Sequence, residues 1–124
     1  MVRRVTPKLS VGCDEDFGKD NFDIIVSLIK SKKDNVYEFP LPDGPHDYLM
    51  FKRAVNFVIK NLKEGKSVLI ICQAGISRSV SVCIAAHTCH NEDDFEVSYV
   101  LCSHNIFHPS TPLIKSAKKY INEY

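Results

Sequence analysis

The chain contains 124 residues, of which 44% are hydrophobic and 25% charged, a balance typical of one globular domain rather than of a disordered chain. Sixteen Lys and Arg against fifteen Asp and Glu leave a net charge of +1, which gives no general attraction to nucleic acid or to an anionic membrane. We therefore expect a single domain over residues 1–124, with no nucleic-acid partner and no membrane partner.

The first elements read as strands. Residues 3–6 and 9–12 are short, alternating and β-prone, and Pro7 lies between them, which predicts two strands with a tight connection. The charged residues 14–20 predict a turn or a short helix. Residues 24–29 form a nearly continuous apolar run, as expected of a strand that is buried on both faces.

A proline-rich loop precedes the most regular helical pattern. Residues 36–39 are a further strand candidate, and residues 40–45 follow with three prolines and one glycine, which exclude helix and sheet interior. Residues 47–62 carry apolar side chains at helical spacing, and Gly65 lies where a helix-ending glycine belongs. We expect a shaped loop followed by an amphipathic helix.

The second half predicts strand, loop and helices in that order. Residues 67–72 read as a buried strand, residues 73–78 as a loop, and residues 79–90 as a helix rich in small and apolar residues. Two more helices are expected at residues 93–103 and 111–124. This alternation predicts an α/β fold, a single domain with a central, mostly parallel sheet of about five strands flanked by helices.

The loop after residue 72 has the features of an anion site. A tight connection between a strand and a helix N-terminus directs several backbone N–H groups into one concavity, where the helix dipole adds positive charge. Gly75 allows a sharp turn, and the Arg78 guanidinium matches two phosphate oxygens. The predicted phosphate-binding residues are Gln73, Ala74, Gly75, Ile76, Ser77 and Arg78.

Cys72 ends the predicted strand and would lie beneath a phosphate bound in this loop. The loop amides and Arg78 would favour its thiolate form, so that Cys72 could attack phosphorus without a metal ion or other cofactor. The spacing of Cys72 and Arg78 is weak evidence by itself, and the alternative is a core cysteine at a strand end.

The segment Ile71-Cys-Gln-Ala-Gly-Ile-Ser-Arg-Ser-Val80 resembles the signature of the dual-specificity branch of the cysteine-based protein tyrosine phosphatases. The resemblance extends from residues 9–12, through residues 39–43 and the following helix, to at least Ala86, and more loosely to the C-terminal helices. It implies a phosphoprotein phosphatase that hydrolyses phosphotyrosine and phosphoserine or phosphothreonine through a phosphocysteine intermediate.

The resemblance also implies roles for two further residues. Asp43 matches the general acid that protonates the leaving oxygen and later activates water. Asp47 is the competing carboxylate, but at the start of the next helix it is more simply an N-cap. Ser79 matches the hydroxyl that hydrogen-bonds the departing thiolate, and its alternative role is helix capping.

Two features qualify the implied activity. Family members usually carry His immediately before the nucleophile, whereas this chain has Ile71, so we expect Cys72 to ionise less readily than in its relatives. Gln73, Ala74 and Ile76 are uncharged, which disfavours inositol lipids as substrates. The alternatives are a weak or inactive phosphoprotein-binding module and, with little support from the net charge, an RNA 5′-triphosphatase.

The remaining cysteine and histidine residues predict no separate site. Five cysteines, without paired CxxC spacing and without a preceding signal peptide, indicate a reducing, cytoplasmic setting. Cys83, His87 and His90 share one face of the predicted helix at metal-ligand spacing, but no second ligand pair accompanies them, so we interpret them as core residues. We expect no metal site.

Overall fold

The computed structural model describes residues 2–16, 18, 21–31, 33–104 and 107–124. Within these residues the strands are β1 (Arg3–Thr6), β2 (Leu9–Cys13), β3 (Ile24–Ser27), β4 (Tyr37–Glu38) and β5 (Val68–Cys72). The α-helices are α1 (Tyr48–Lys63), α2 (Arg78–Asn91), α3 (Phe95–Cys102) and α4 (Thr111–Glu123). Each predicted strand and helix is present, with small shifts at the ends.

The strands form one sheet in the order β1-β2-β5-β3-β4. β1 is antiparallel to β2, and the other neighbouring strands are parallel. This arrangement confirms the predicted α/β class and the mostly parallel, five-stranded sheet. β5 lies at the centre, so its carboxyl end opens at the middle of one sheet edge, where ligands of such folds bind.

Both faces of the central strand are covered. Val68, Ile70 and Cys72 belong to the main hydrophobic core, which they share with the helices. Leu69 and Ile71 alternate with them and therefore point to the opposite face, where each has no exposed surface. The continuous apolar run of β5 reflects this burial on both sides.

Local signals in the sequence fix both ends of α1. Asp47 adopts an extended conformation before the helix, and its carboxylate accepts a hydrogen bond of 3.0 Å from the Leu49 N–H. Gly65, with φ of +77°, follows the other end. There the Lys66 N–H donates to the Asn61 carbonyl and the Gly65 N–H to the Leu62 carbonyl, a Schellman motif.

Two predicted strands are shorter than expected. β3 ends at Ser27 instead of residue 29, because the Ser27 hydroxyl donates to the Ile29 carbonyl and competes with regular pairing. β4 contains only Tyr37 and Glu38, both exposed at the edge of the sheet. Edge strands are commonly short, and the shortening leaves the sheet order unchanged.

The charged run after β2 is described in part. Asp14–Asp16 form one turn of 3₁₀ helix, in agreement with the predicted turn or short helix, while positions 17, 19 and 20 lie outside the described residues. Over the ranges given above, no helix is both long enough and apolar enough to cross a membrane.

Candidate active site

Cys72 lies at the carboxyl end of β5, and the loop that follows it enters α2 at Arg78. The Cys72 side chain is almost fully buried, and its Sγ accepts a hydrogen bond of 3.2 Å from the Gly75 N–H. Ser79 Oγ also lies 3.2 Å from Sγ. The sulfur is therefore held between a loop amide and a hydroxyl on the first turn of α2, where partial positive charge favours an anion.

Gly75 is required by two separate features of the loop. Its φ of +72° lies in the left-handed region, which non-glycine residues rarely adopt. In addition, a Cβ at this position would lie 2.8 Å from the carbonyl carbon and oxygen of Gly12. The loop thus packs directly on the backbone of β2, and no side chain fits between them.

The end of β2 is itself braced by a buried carboxylate. A Cβ on Gly12 would lie 2.7 Å from Asp16 Oδ2, and the same oxygen accepts a hydrogen bond of 2.8 Å from the Cys13 N–H. Burial opposes the ionisation of Asp16, but favourable interactions, of which the hydrogen bond from the Cys13 N–H is the largest, outweigh it and lower the pKa of this carboxyl group below its usual 3.8. Glycine at position 12 makes this close packing possible.

Asp43 lies on the proline-rich loop and is hydrogen-bonded to Ser77, in the loop that follows Cys72. The Ser77 hydroxyl donates to Asp43 Oδ1 over 2.8 Å, and the Ser77 hydroxyl oxygen accepts a hydrogen bond of 2.9 Å from the Ser110 N–H. Asp43 is exposed, whereas Ser77 is buried. The contact links the predicted acid to the predicted phosphate loop, 34 residues away in sequence.

Arg78 makes a second contact between the two loops. One of its terminal guanidinium nitrogens donates to the Leu41 carbonyl over 3.1 Å. Leu41 is buried, and its N–H donates to the Leu28 carbonyl beyond β3 over 2.9 Å. The Arg78 guanidinium therefore extends from the start of α2 to the loop that carries Asp43. From this position its planar group can hydrogen-bond two phosphate oxygens.

The other predicted residues lie in different settings. Gln73 and Ala74 are exposed on the loop, and Ile76 is partly buried. Asp47 caps α1 through the Leu49 N–H, in agreement with its interpretation as an N-cap. Ser79 contacts Cys72 and lies inside α2, so the observed contact of its hydroxyl is with the sulfur rather than a cap bond.

Sequence reasoning missed the supports behind the loops. Arg3, on β1, donates a short hydrogen bond to the Gly75 carbonyl across 72 residues of sequence. His46 Nδ1 donates to the Gly44 carbonyl, and its Nε2 lies 2.7 Å from Ser116 Oγ on α4. No sequence spacing reports contacts of this range.

The suspected metal-ligand residues on α2 contact other partners. Cys83 and Cys102 are buried with their sulfurs 2.9 Å apart, and His87 Nε2 lies 2.9 Å from Asp93 Oδ2. Burial and the neighbouring thiol raise the pKa of Cys83. In the part of the chain that the structure describes, no three His, Cys, Asp or Glu side chains are placed to hold a metal ion.

Comparison with known proteins assigns the family. The sequence profile described as "Dual specificity phosphatase, catalytic domain" matches residues 17–104, most of the chain. The chain therefore belongs to the dual-specificity phosphatase family, a branch of the cysteine-based protein tyrosine phosphatases. No curated protein sequence matches the chain.

Solved structures support the same fold. A mouse putative dual specificity phosphatase, complexed with zinc tungstate, superposes with a TM-score of 0.82 at 20% identity, covering 98% of this chain and 87% of that one. Human DUSP28 gives 0.78 at 19% identity, over 98% and 93% of the two chains. A human tyrosine phosphatase-like serine/threonine/tyrosine-interacting protein gives 0.77 at 16% identity, over 99% and 97%.

Proposed function

We propose that this chain is a phosphoprotein phosphatase that hydrolyses phosphotyrosine and phosphoserine or phosphothreonine through a phosphocysteine intermediate. The observation that carries the proposal is the position of Cys72 Sγ. It lies between the Gly75 N–H and the Ser79 hydroxyl, at the entry to α2, while Ser77 holds Asp43 beside the same loop. On this proposal the nucleophile, the anion-binding loop and the carboxylic acid meet at the end of β5.

In the first proposed step the Cys72 thiolate attacks the phosphorus of the bound phosphoester. The S–P bond forms as the bond from phosphorus to the ester oxygen of the substrate breaks, and the Asp43 carboxyl proton passes to that leaving oxygen, which becomes the product hydroxyl. The N–H groups of residues 73–78 and the Arg78 guanidinium stabilise the charge on the three equatorial oxygens.

In the second step water attacks the phosphocysteine. The Asp43 carboxylate takes a proton from the water as its oxygen bonds to phosphorus, and the S–P bond breaks. The departing thiolate accepts hydrogen bonds from the Ser79 hydroxyl and the Gly75 N–H, whose donors already lie 3.2 Å from the sulfur. Inorganic phosphate then leaves, and Asp43 is protonated again for the next turnover.

The surface around the loop favours a protein substrate. Asp43, Gln73 and Ala74 are exposed, which fits a shallow site that admits both aromatic and aliphatic phosphoesters. Neither Gln73 nor Ala74 carries a charge that would meet the additional phosphates of an inositol lipid. The proposed reaction requires only groups of the chain and water.

A second candidate function is a phosphoprotein-binding module with little or no turnover. Two observations favour it: Ile71 replaces the His usual in the family, and the fold matches that of a protein named as phosphatase-like and interacting. Such a module would use the same loop amides and Arg78 to hold phosphate, and would not need Asp43.

Turnover of p-nitrophenyl phosphate and of phosphotyrosine and phosphothreonine peptides separates the two functions. We expect turnover by the wild type, inhibition by orthovanadate, a strong loss in Asp43→Ala and no activity in Cys72→Ser. Cys89→Ser is the matched control, because Cys89 is partly buried on α2, away from the loop. Phosphopeptide binding without turnover would leave only the binding module, and activity in Cys72→Ser would remove Cys72 as the nucleophile.

A further inference from the structure

Arg3 contacts the phosphate loop from behind. It pairs with Val11 across β1 and β2, and directly opposite residues in antiparallel strands point to the same face of the sheet. Val11 belongs to the main core, so Arg3 also points to the face that the helices cover. From there its guanidinium donates to the Gly75 carbonyl and lies 3.5 Å from the Cys102 carbonyl at the end of α3.

The bond to the Gly75 carbonyl fixes the direction of the next amide. In a trans peptide the C=O and N–H groups point in opposite directions across one plane, and the described chain has no cis peptide bond. Because the Gly75 carbonyl points to Arg3, the Ile76 N–H of the same plane points away from Arg3. Arg3 thereby orients one of the loop amides on which phosphate binding rests.

The charge of Arg3 and the residue at position 71 make this contact significant. The Ile71 side chain has no hydrogen-bond donor, and it is fully buried on the other face of the sheet. Arg3 brings a permanently charged donor to the loop from a different strand. Arg3 Nε is buried and has no hydrogen-bond partner among the described residues. A buried donor without a partner lowers the stability of the fold, so stability alone does not account for a buried Arg3.

We propose that Arg3 is a positioning residue of the phosphate loop: it orients the Gly75–Ile76 peptide and supports the anionic form of Cys72 in place of a donor at position 71. This inference rests on the proposed function only in assigning an anion to the loop. It therefore allows a test that does not depend on turnover.

The test follows alkylation of Cys72 by iodoacetate in Arg3→Met, Arg3→Lys and Arg4→Met. Arg4 is the matched control, because it is the exposed neighbour of Arg3 on the same strand and carries the same charge. Tryptic cleavage after Lys66 and Arg78 releases residues 67–78, in which Cys72 is the only cysteine, so mass spectrometry reports this thiol separately from the other four. The second readout is protection of Cys72 by inorganic phosphate.

In Arg3→Met we expect the alkylation rate at about pH 6 to fall about fivefold to tenfold, because a charge-assisted bond to the loop is lost. The phosphate concentration that half-protects Cys72 should rise by a similar factor. Arg3→Lys keeps the charge and can donate to the loop but lacks the planar guanidinium fork, so its losses should be about half as large on a logarithmic scale. Arg4→Met should match the wild type in both readouts.

Equal alkylation rates and equal phosphate protection of Cys72 in Arg3→Met and Arg4→Met would overturn the proposal. This holds also if Arg3→Met lowers the free energy of unfolding, because Arg3 would then have a structural role alone. If Arg3→Met does not fold, Arg3→Lys is compared with Arg4→Lys instead. We then expect the alkylation rate of Cys72 to be lower by about twofold or more in Arg3→Lys. If the wild type shows no turnover and Arg3→Met still slows alkylation, the proposed function fails while the role of Arg3 stands.

Discussion

The two loops that meet at the end of β5 are held in different ways. The phosphate loop, residues 72–79, is held largely through its backbone, by the Gly75 N–H bond to Cys72, the packing of Gly75 on Gly12 of β2 and the Arg3 bond to the Gly75 carbonyl. The proline-rich loop, residues 40–45, carries an exposed Asp43 that a side chain of the other loop holds in place. The proposed nucleophile is thus placed by backbone geometry and the proposed acid by side chains.

His46 strengthens this contrast. Its ring hydrogen-bonds the Gly44 carbonyl on one side and Ser116 on the other, with both distances 2.7 Å, and so ties the proline-rich loop to α4. The His46 ring also packs on the buried Phe51 ring, with 5.8 Å between the ring centroids. Substitutions that change the backbone of the phosphate loop should therefore reduce activity more than substitutions of the side chains that hold the proline-rich loop.

The largest effect is expected for Gly75→Ala. The new Cβ would meet the Gly12 backbone at 2.8 Å and would force the loop open. We expect kcat/KM to fall about 10,000-fold or more, since loss of one such donor typically costs about 100-fold to 1,000-fold and several amides would be misplaced together. Gly65→Ala is the matched control, because its φ of +77° is similar but nothing lies within 4 Å of the new Cβ.

Gly65→Ala should lower the free energy of unfolding by about 1 kcal/mol through backbone strain and leave kcat/KM unchanged. Steady-state kinetics and denaturant unfolding of both variants check the comparison. Equal activity in the two variants would contradict the packing of Gly75 on β2 as the cause of the effect.

Asp43→Asn should have the next largest effect. Removal of a general acid typically costs about 100-fold to 10,000-fold, and the cost grows as the leaving group becomes more basic. We expect kcat/KM for a phosphothreonine peptide to fall further than kcat/KM for p-nitrophenyl phosphate, because kcat/KM reports the step in which the leaving group departs. Asp47→Asn keeps a residue suited to N-caps and should leave both rates near the wild type.

The ratio of the two rates is the measurement that decides this prediction. An equal fall for both leaving groups in Asp43→Asn would remove Asp43 as the acid. A larger fall in Asp47→Asn would transfer the role to Asp47.

Ser77→Ala should have a moderate effect. It removes the hydroxyl that donates to Asp43 and the acceptor of the Ser110 N–H, while the loop backbone remains. We expect kcat for basic leaving groups to fall about tenfold and the free energy of unfolding to fall by about 1–2 kcal/mol. Ser81→Ala is the control, because its hydroxyl donates to the Ser77 carbonyl and not to Asp43.

Ser77→Ala and Ser81→Ala delete the same group one helical turn apart. The dependence of the rate on the basicity of the leaving group, measured for both variants, should differ from that of the wild type only in Ser77→Ala. A change of similar size in Ser81→Ala would mean that the helix start, and not the contact with Asp43, sets the rate.

The smallest effect concerns acid stability at the base of the phosphate loop. The pKa of Asp16 in the folded chain lies below the usual 3.8, so its carboxylate stabilises the fold above about pH 4, and this stabilisation is lost as the pH falls through the lower folded value. Asp16→Asn removes the titration. We expect the free energy of unfolding to fall less steeply below about pH 4 in the variant than in the wild type.

Urea unfolding at several acidic pH values measures both slopes. A wild-type slope no steeper than that of Asp16→Asn would show that the folded surroundings of Asp16 do not favour its carboxylate form. At neutral pH the variant should retain the acceptor for the Cys13 N–H and remain folded.

The sequence predicted the strand, loop and helix around Cys72 better than their surroundings for a physical reason. The loop depends on local features: a buried strand, Gly75 at the turn, Arg78 and a helix, all within a few residues of Cys72. The sheet class followed from apolar runs of strand length, which report burial without requiring knowledge of the neighbours. Local patterns of this kind are visible in one sequence.

The contacts that the sequence did not predict are between distant segments. Arg3 reaches Gly75 over 72 residues and His46 reaches Ser116 over 70, and neither side chain is unusual in its local sequence. The end of β3 also depended on a side-chain contact, the Ser27 hydroxyl bond to the Ile29 carbonyl. Such contacts depend on how the elements pack, which periodicity does not determine.

The central claim, that Cys72 carries the phosphoryl group, is tested most directly by trapping the intermediate. Wild type, Ser79→Ala and Cys72→Ser are mixed with a radiolabelled phosphotyrosine peptide, quenched in denaturant within milliseconds and digested with trypsin. We predict label on the peptide of residues 67–78 in the wild type, more label in Ser79→Ala because the thiolate departs more slowly, and none in Cys72→Ser. Turnover without label on that peptide, or label in Cys72→Ser, would contradict the account.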